Sequence, residues 1–173
     1  YYSKVSAEKS KILAKLQVSD FYLCTVHRAE NTGDATKLNS ILSALSAISS
    51  RTPVVFPVHP RTAKVMESMS FDRNRIHVIK PVGYFDMLEL IKNSKMILTD
   101  SGGLQKEAFF FGKPCVTLRE ETEWIEVVTE GWNRLSGTSK EKILSDISFF
   151  ENNSPANTTS LYGDGHAAEK IAD

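Results

Sequence analysis

The sequence carries no excess of charge: its 21 lysines and arginines are balanced by 21 aspartates and glutamates. That balance leaves no electrostatic footprint for nucleic acid or for an anionic membrane surface. Long apolar runs are missing too. Nothing approaches the roughly 18 residues that a spanning helix needs, and no signal-peptide pattern opens the chain. Neither a nucleic-acid nor a membrane partner is expected. Cysteine is scarce, and Cys24 and Cys115 both lie in apolar, strand-like runs without CxxC or Cys/His spacing. They read as reduced core thiols, which points to a cytoplasmic setting. No metal-ligand spacing, no Ser/His/Asp or Cys/His set and no pair of carboxylates declaring itself as general acid and base is evident. The chain starts at Tyr1-Tyr2 rather than at a methionine, so it is expected to be part of something longer.

What the sequence does contain is an alternation of strands and helices. Residues 21–26, 54–58, 76–79, 96–98 and 115–118 are short apolar runs of buried-strand length, and 131–135 reads as a turn and short edge strand. Apolar residues at helical spacing mark helices over 35–49, 62–69, 85–93, 104–111, 122–130 and 139–149. A polar helix over 3–16, with Val5, Ile12, Leu13 and Leu16 towards one side, precedes them. The Asn-, Ser-, Thr- and Gly-rich stretch 151–164 reads as a loop, followed by a last helix at 165–172. Alternation of this kind calls for a Rossmann-like α/β fold, a parallel sheet with helices on both faces, forming a single domain over residues 1–173. His27, His59, Val82-Gly83-Tyr84 and Asp100-Ser101-Gly102-Gly103 then fall at strand ends on one edge of the sheet, where ligands bind in open α/β folds.

The stretch 95–118 is the most informative. A buried strand runs into Ser101-Gly102-Gly103, a helix follows, and Gly112-Lys113-Pro114 stops that helix before the next strand. A helix N-terminus offers unpaired N–H groups and about half a positive charge, which suits a phosphate. Two glycines let the backbone approach an anion that a Cβ would hold off. Ser101 adds a hydroxyl donor, and Glu107, about one and a half turns on, is placed to accept from a ribose hydroxyl. A strand-to-helix turn with no ligand fits the glycines equally well.

Other residues also have two readings. His27-Arg28 either faces a diphosphate or forms a solvated strand-end pair, and His59-Pro60-Arg61-Thr62 is in the same position. Glu30 and Asn31 suit capping of the next helix, for which Asp34 is a plain N-cap candidate. His77 reads as structural and His166 as a surface helix residue. Phe109-Phe110-Phe111 places at least one aromatic on an exposed helix face, for packing against another element or a partner. After the fifth strand, Thr122 would cap a helix with Glu123 in its first turn; alternatively Arg119, Glu123 or Trp124 reaches the far end of a ligand.

In order along the chain, T-V-H-R-A-E-N, P-V-H-P-R-T, D-S-G-G-L-Q-K-E-A, G-K-P-C-V-T-L-R-E-E-T-E-W and Y-G-D-G resemble the non-hydrolysing UDP-N-acetylglucosamine 2-epimerases. The resemblance covers nearly the whole chain. It implies a glycosyltransferase-B-like architecture of two Rossmann-like domains, of which this would be the C-terminal, nucleotide-binding one. It also implies an activity: proton removal at C2 of the sugar, elimination of UDP to a glycal, and re-addition on the opposite face to interconvert UDP-GlcNAc and UDP-ManNAc. By this resemblance His27 with Arg28, Ser101, Gly102 and Gly103 would hold the diphosphate, and Glu107 the ribose. Val82, Tyr84 and Met87 would meet the uracil, while Arg119 and Glu123 would lie near the diphosphate or sugar. His27, Arg119 and Glu123 would be this chain's share of the catalytic machinery. The partners implied are UDP or a UDP-sugar, a missing N-terminal domain carrying the acid and base, and a homodimer mate, with the three phenylalanines as a candidate face. The resemblance implies no cofactor or metal, and the isolated chain would bind UDP without epimerising. Donor-domain membership in a glycosyltransferase of the same architecture, and a non-catalytic nucleotide-sugar sensor, are the rival readings. Two departures from the family stand out. Many members read T-E-R-P-E where this chain has Thr122-Glu123-Trp124-Ile125-Glu126, which leaves room for a diacetamido-uronic acid donor. His59-Pro60-Arg61 differs from the H-x-N-P pattern of allosteric bacterial members, so regulation is not carried over.

Overall fold

The structure, a computed structural model, describes residues 9–155, 161–163 and 166–172. The first part of the expected 3–16 helix, with Val5, lies outside them, as do residues 156–160 and Asp164-Gly165 of the tail. In order, the elements are α1 (Ile12–Leu16), β1 (Tyr22–Thr25), α2 (Ala29–Thr32), α3 (Ala35–Ser49), β2 (Val54–Pro57), α4 (Pro60–Met66), β3 (Ile76–Ile79) and α5 (Tyr84–Asn93). They continue with β4 (Met96–Thr99), α6 (Gly102–Phe110), β5 (Cys115–Thr117), α7 (Ile125–Thr129), β6 (Asn133–Leu135), α8 (Lys140–Asn152) and α9 (Ala167–Ala172).

The six strands form one sheet in the order β3-β2-β1-β4-β5-β6, and every neighbouring pair is parallel. The expected Rossmann-like α/β fold is therefore observed. Alternate residues of each strand feed opposite faces. Tyr22 and Cys24 of β1 join Phe56 and Leu98 beneath Leu38, Ile41, Leu42 and Leu45 of α3 and Ile143 and Ile147 of α8. Phe21, Leu23, Val55 and Ile97 meet Leu88 and Ile91 of α5 and Leu104 and Ala108 of α6 on the other side. With both faces covered, β1, β2 and β4 are buried throughout, which is why they read as unbroken apolar runs. Both cysteines are free and lie in this core, where burial pushes the Cys115 thiol up to about 12 and Cys24 well above its ordinary value.

Several boundaries differ from the sequence-based expectation, and each has a local cause. Helix α4 starts at Pro60, two residues early, because proline suits the first helical position and His59 caps it, its Nδ1 accepting from Arg61 N–H. Helix α6 starts at Gly102 because Ser101 is its cap. Thr122 caps nothing: its hydroxyl donates to Gln105 Oε1 at 2.6 Å and accepts from Trp124 N–H, so helix α7 begins only at Ile125 and Glu123 lies outside its first turn. Asp34 is the cap of α3, accepting from the Thr36 and Lys37 amides.

The strand order reverses between β1 and β4. A parallel sheet of this order has its crevice at the carboxyl ends of those two strands, because the connections leaving them diverge to opposite faces. His27 follows β1 and Ser101 follows β4, so the two most suggestive motifs open on the same crevice.

Candidate functional site: a buried aspartate beneath a glycine turn

Strands β1 and β4 pair in register through Thr25 and Thr99, whose hydroxyls lie 2.6 Å apart. Ser101 N–H donates to the same Thr99 hydroxyl at 2.9 Å. Between them sits Asp100, whose carboxylate is fully buried (0 % exposed). It accepts the backbone N–H groups of His27 (3.1 Å to each oxygen) and Arg28 (2.9 Å), and the Asn31 amide at 3.1 Å. The other donor bond of Asn31 goes to the Leu118 carbonyl at the end of β5, at 3.0 Å. One carboxylate thus joins the loops that follow β1 and β4, and Asn31 extends the join to β5. Asn31 is therefore a tie between strand ends and not a cap of the next helix.

Above Asp100 lies a cavity of about 350 Å³ lined by His27, His59, Val82, Met87, Ser101, Gly103 and Glu107, among others. Of the residues singled out in the sequence, it brings together His27, Val82, Met87, Ser101, Gly103 and Glu107. His27 Nδ1 lies 3.4 Å from Asp100 Oδ1, with the side chain about half exposed at the cavity. Burial raises the Glu107 carboxyl above its ordinary 4.5. Val82 and Met87, together with Pro81 and Leu104, supply the apolar wall.

The two glycines do different work. A Cβ built on Gly103, which lines the cavity, would meet no protein atom within 4 Å. A Cβ on Gly102 would lie 3.1 Å from Glu123 Oε2 and 3.7 Å from Trp124 Nε1. Gly103 leaves room in the cavity; Gly102 leaves room for the loop after β5.

Arg28, Tyr84, Arg119 and Glu123 do not line this cavity. Tyr84 is half exposed at the start of α5. Arg119 is buried and surrounded by carboxylates: both Glu123 oxygens at 3.1 Å, Glu30 at 3.4 Å and Glu121 at 3.8 Å. Arg28 lies 3.7 Å from the same Glu123. Glu123 has its carboxyl held below the ordinary value, by a backbone hydrogen bond first and by Arg119 second. These residues form a charge cluster beside the cavity. Among the described residues, no group of three or more His, Cys, Asp or Glu is disposed to hold a metal ion, and no helix is long and apolar enough to cross a membrane. Phe109 packs edge-on against Trp132 and Tyr162, while Phe110 stays 60 % exposed. Residues that sequence reasoning underweighted are Asp100, seen only as a strand end, and His59, left open. A lone carboxylate at the end of an apolar strand, followed at once by a glycine turn, was the available signal for Asp100.

Residues 1–173, the whole chain, match the family model described as UDP-N-acetylglucosamine 2-epimerase. The chain belongs to that epimerase family. It is 46% identical over 178 residues to a UDP-N-acetylglucosamine 2-epimerase homolog of Methanococcus maripaludis, covering 98% of this chain and 48% of that protein. It is 47% identical over 154 residues to the UDP-2,3-diacetamido-2,3-dideoxy-D-glucuronate 2-epimerase of Pseudomonas aeruginosa, covering 88% of this chain and 43% of that one. Among solved structures, Methanocaldococcus jannaschii UDP-GlcNAc 2-epimerase in complex with UDP-GlcNAc and UDP matches with a TM-score of 0.86 at 35% identity, over 98% of this chain and 49% of that one. The Neisseria meningitidis UDP-GlcNAc 2-epimerase bound to UDP-GlcNAc matches with a TM-score of 0.80 at 28% identity, over 98% and 51% of the two chains. This epimerase-family chain thus spans about half the length of the relatives it matches, and corresponds to the C-terminal half of their glycosyltransferase-B-like architecture.

Two outcomes follow for Asp100 and Glu107. Asp100→Ala leaves three donors, two of them backbone, facing a void; it is expected to cost about 3–5 kcal/mol in urea unfolding, against about 1 kcal/mol for the exposed cap variant Asp34→Ala. The folded chain binds a proton at Glu107 more tightly than the unfolded one, so this group favours folding at low pH and the advantage is lost as pH rises through its raised value. Glu107→Gln is therefore expected to raise the thermal midpoint at pH 7. The gain should fade as pH falls towards 4.5 in a pH series of melting curves.

Proposed function

We propose that this chain is the UDP-binding half of an enzyme that interconverts UDP-GlcNAc and UDP-ManNAc at C2 by elimination and re-addition of UDP. The observation that carries the proposal is the shared cavity: Ser101, the cap of α6, and Gly103 and the half-buried carboxylate of Glu107 on that helix line it together with the strand-end His27. Family membership and the UDP and UDP-GlcNAc complexes of structural relatives support it.

In this reading the N–H groups of the α6 turn and the Ser101 hydroxyl receive the diphosphate. His27, beside Asp100, donates to it. Charge builds on that diphosphate as the glycosidic C–O bond breaks, so fixed donors aimed at it lower the barrier to elimination. Glu107 accepts from the ribose, and Val82 and Met87 pack against the uracil. The Arg119–Glu123 pair stands near the sugar. The acid and base that move the C2 proton come from the N-terminal half, so residues 1–173, as one domain, bind UDP without epimerising it. A second copy of the chain and a cytoplasmic location complete the picture.

A second donor is favoured by one observation. Trp124 stands where many family members have arginine, and the Pseudomonas aeruginosa relative at 47% identity is named for a diacetamido-glucuronate donor. A uronic-acid sugar of that type is the alternative substrate, read out by the same epimerisation assay with the other nucleotide sugar.

Calorimetric titration of the chain with UDP is expected to show saturable binding. His27→Ala and Glu107→Ala should each weaken it about 10-fold or more, the loss of one hydrogen bond involving a charged group. No heat with either the chain or the full-length protein at millimolar UDP would overturn the proposal.

A further inference from the structure

The loop after β5 is fastened to the first turn of α6 by the side chain of Trp124. Trp124 donates its indole N–H to the Gly102 carbonyl at 2.7 Å. The Lys106 ammonium sits 4.3 Å from the Trp124 ring and 4.3 Å from the Tyr162 ring, and Tyr162 meets the indole edge-on at 6.1 Å. Tyr162 is itself held by its hydroxyl to Glu126 at 2.7 Å. A second fastening, Thr122 to Gln105, lies one turn further along the same helix. A methyl group on Gly102 would come within 3.1 Å of Glu123 Oε2 and into ordinary contact with the indole at 3.7 Å. Glu123, the residue before Trp124, holds Arg119 through both its oxygens.

We propose that Trp124 is a positioning residue for the diphosphate turn, its indole bond to Gly102 holding the Arg119–Glu123 pair against the first turn of α6 and fixing where that turn's N–H groups point. The inference rests on the UDP-binding reading. It assigns Trp124 to a backbone carbonyl of the protein and not to the ligand. It also separates the two ends of the nucleotide: the turn meets phosphate, whereas the apolar wall and Glu107 meet the nucleoside.

That separation supplies the test. In the full-length protein, Trp124→Phe keeps an aromatic ring beside Lys106 and Tyr162 but removes the N–H. Its Kd for UDP is expected to rise about fivefold, the equivalent of one neutral hydrogen bond. Its Kd for uridine, measured by competition, should stay within about twofold of the parent. Equal weakening of UDP and uridine would mark a general structural defect and overturn the assignment, as would no change in either. A second readout does not depend on that variant folding. In the 173-residue chain, whose two tryptophans are Trp124 and Trp132, UDP should change the indole emission of Trp132→Phe, which retains Trp124, and an unresponsive emission at saturating UDP overturns the assignment. A parent protein that ignores UDP would instead overturn the nucleotide reading and this one with it, so the two failures are distinguishable.

Discussion

A single buried carboxylate holds the crevice together. Asp100 stands at the end of the strand where the sheet order reverses, with no exposure to water, and three donors from the neighbouring loop converge on it. An unpaired charge in such a place would be costly, so the loop after β1 must fold back onto β4 to supply its N–H groups. Two consequences for function follow from that constraint. The His27 side chain is delivered to the rim of the cavity, and the backbone after Asp100 is free to turn at once into a helix whose N-terminus faces the same space. Under the proposed function, such a helix N-terminus would meet the diphosphate with backbone N–H groups.

The division of labour between adjacent glycines shows how tightly this corner is packed. Gly102 accommodates the loop that carries Glu123 and Trp124, and only Gly103 of the two lines the cavity. The charge cluster around Arg119 follows the same economy. With three carboxylates about it, this guanidinium is a structural hub for loops 27–31 and 119–124, and its electrostatic reach into the cavity is moderated by its partners.

The fold was legible because both faces of the sheet are covered. Strands buried on both sides leave unbroken apolar runs, and 21–26, 54–58 and 96–98 could be read without ambiguity from helices of 3.6 periodicity. Helix starts were less legible where the cap is a side chain with a competing partner. Thr122 has the chemistry of an N-cap, but Gln105, seventeen positions away, takes its hydroxyl, and no local pattern announces that. Sequence reasoning found the neighbourhood of the cavity where its residues are close in the chain, as with Ser101, Gly103 and Glu107. It could not see which distant segments touch. Arg119 has Glu123 four residues on in its own loop, but its contact with Glu30 of α2 is announced by no local pattern. Asp100 could be seen only as a strand end, since its donors lie some seventy positions earlier in the chain.

The central claim is that the turn after β4 receives a diphosphate while the wall opposite receives the nucleoside. The most direct measurement is a backbone amide NMR titration of the protein with UDP and, separately, with uridine. The account predicts that the amide resonances of Gly102 and Gly103 shift with UDP and stay in place with uridine, while residues around Val82, Met87 and Glu107 respond to both. UDP that leaves the Gly102 and Gly103 amides unmoved while shifting resonances elsewhere on the molecule would contradict it.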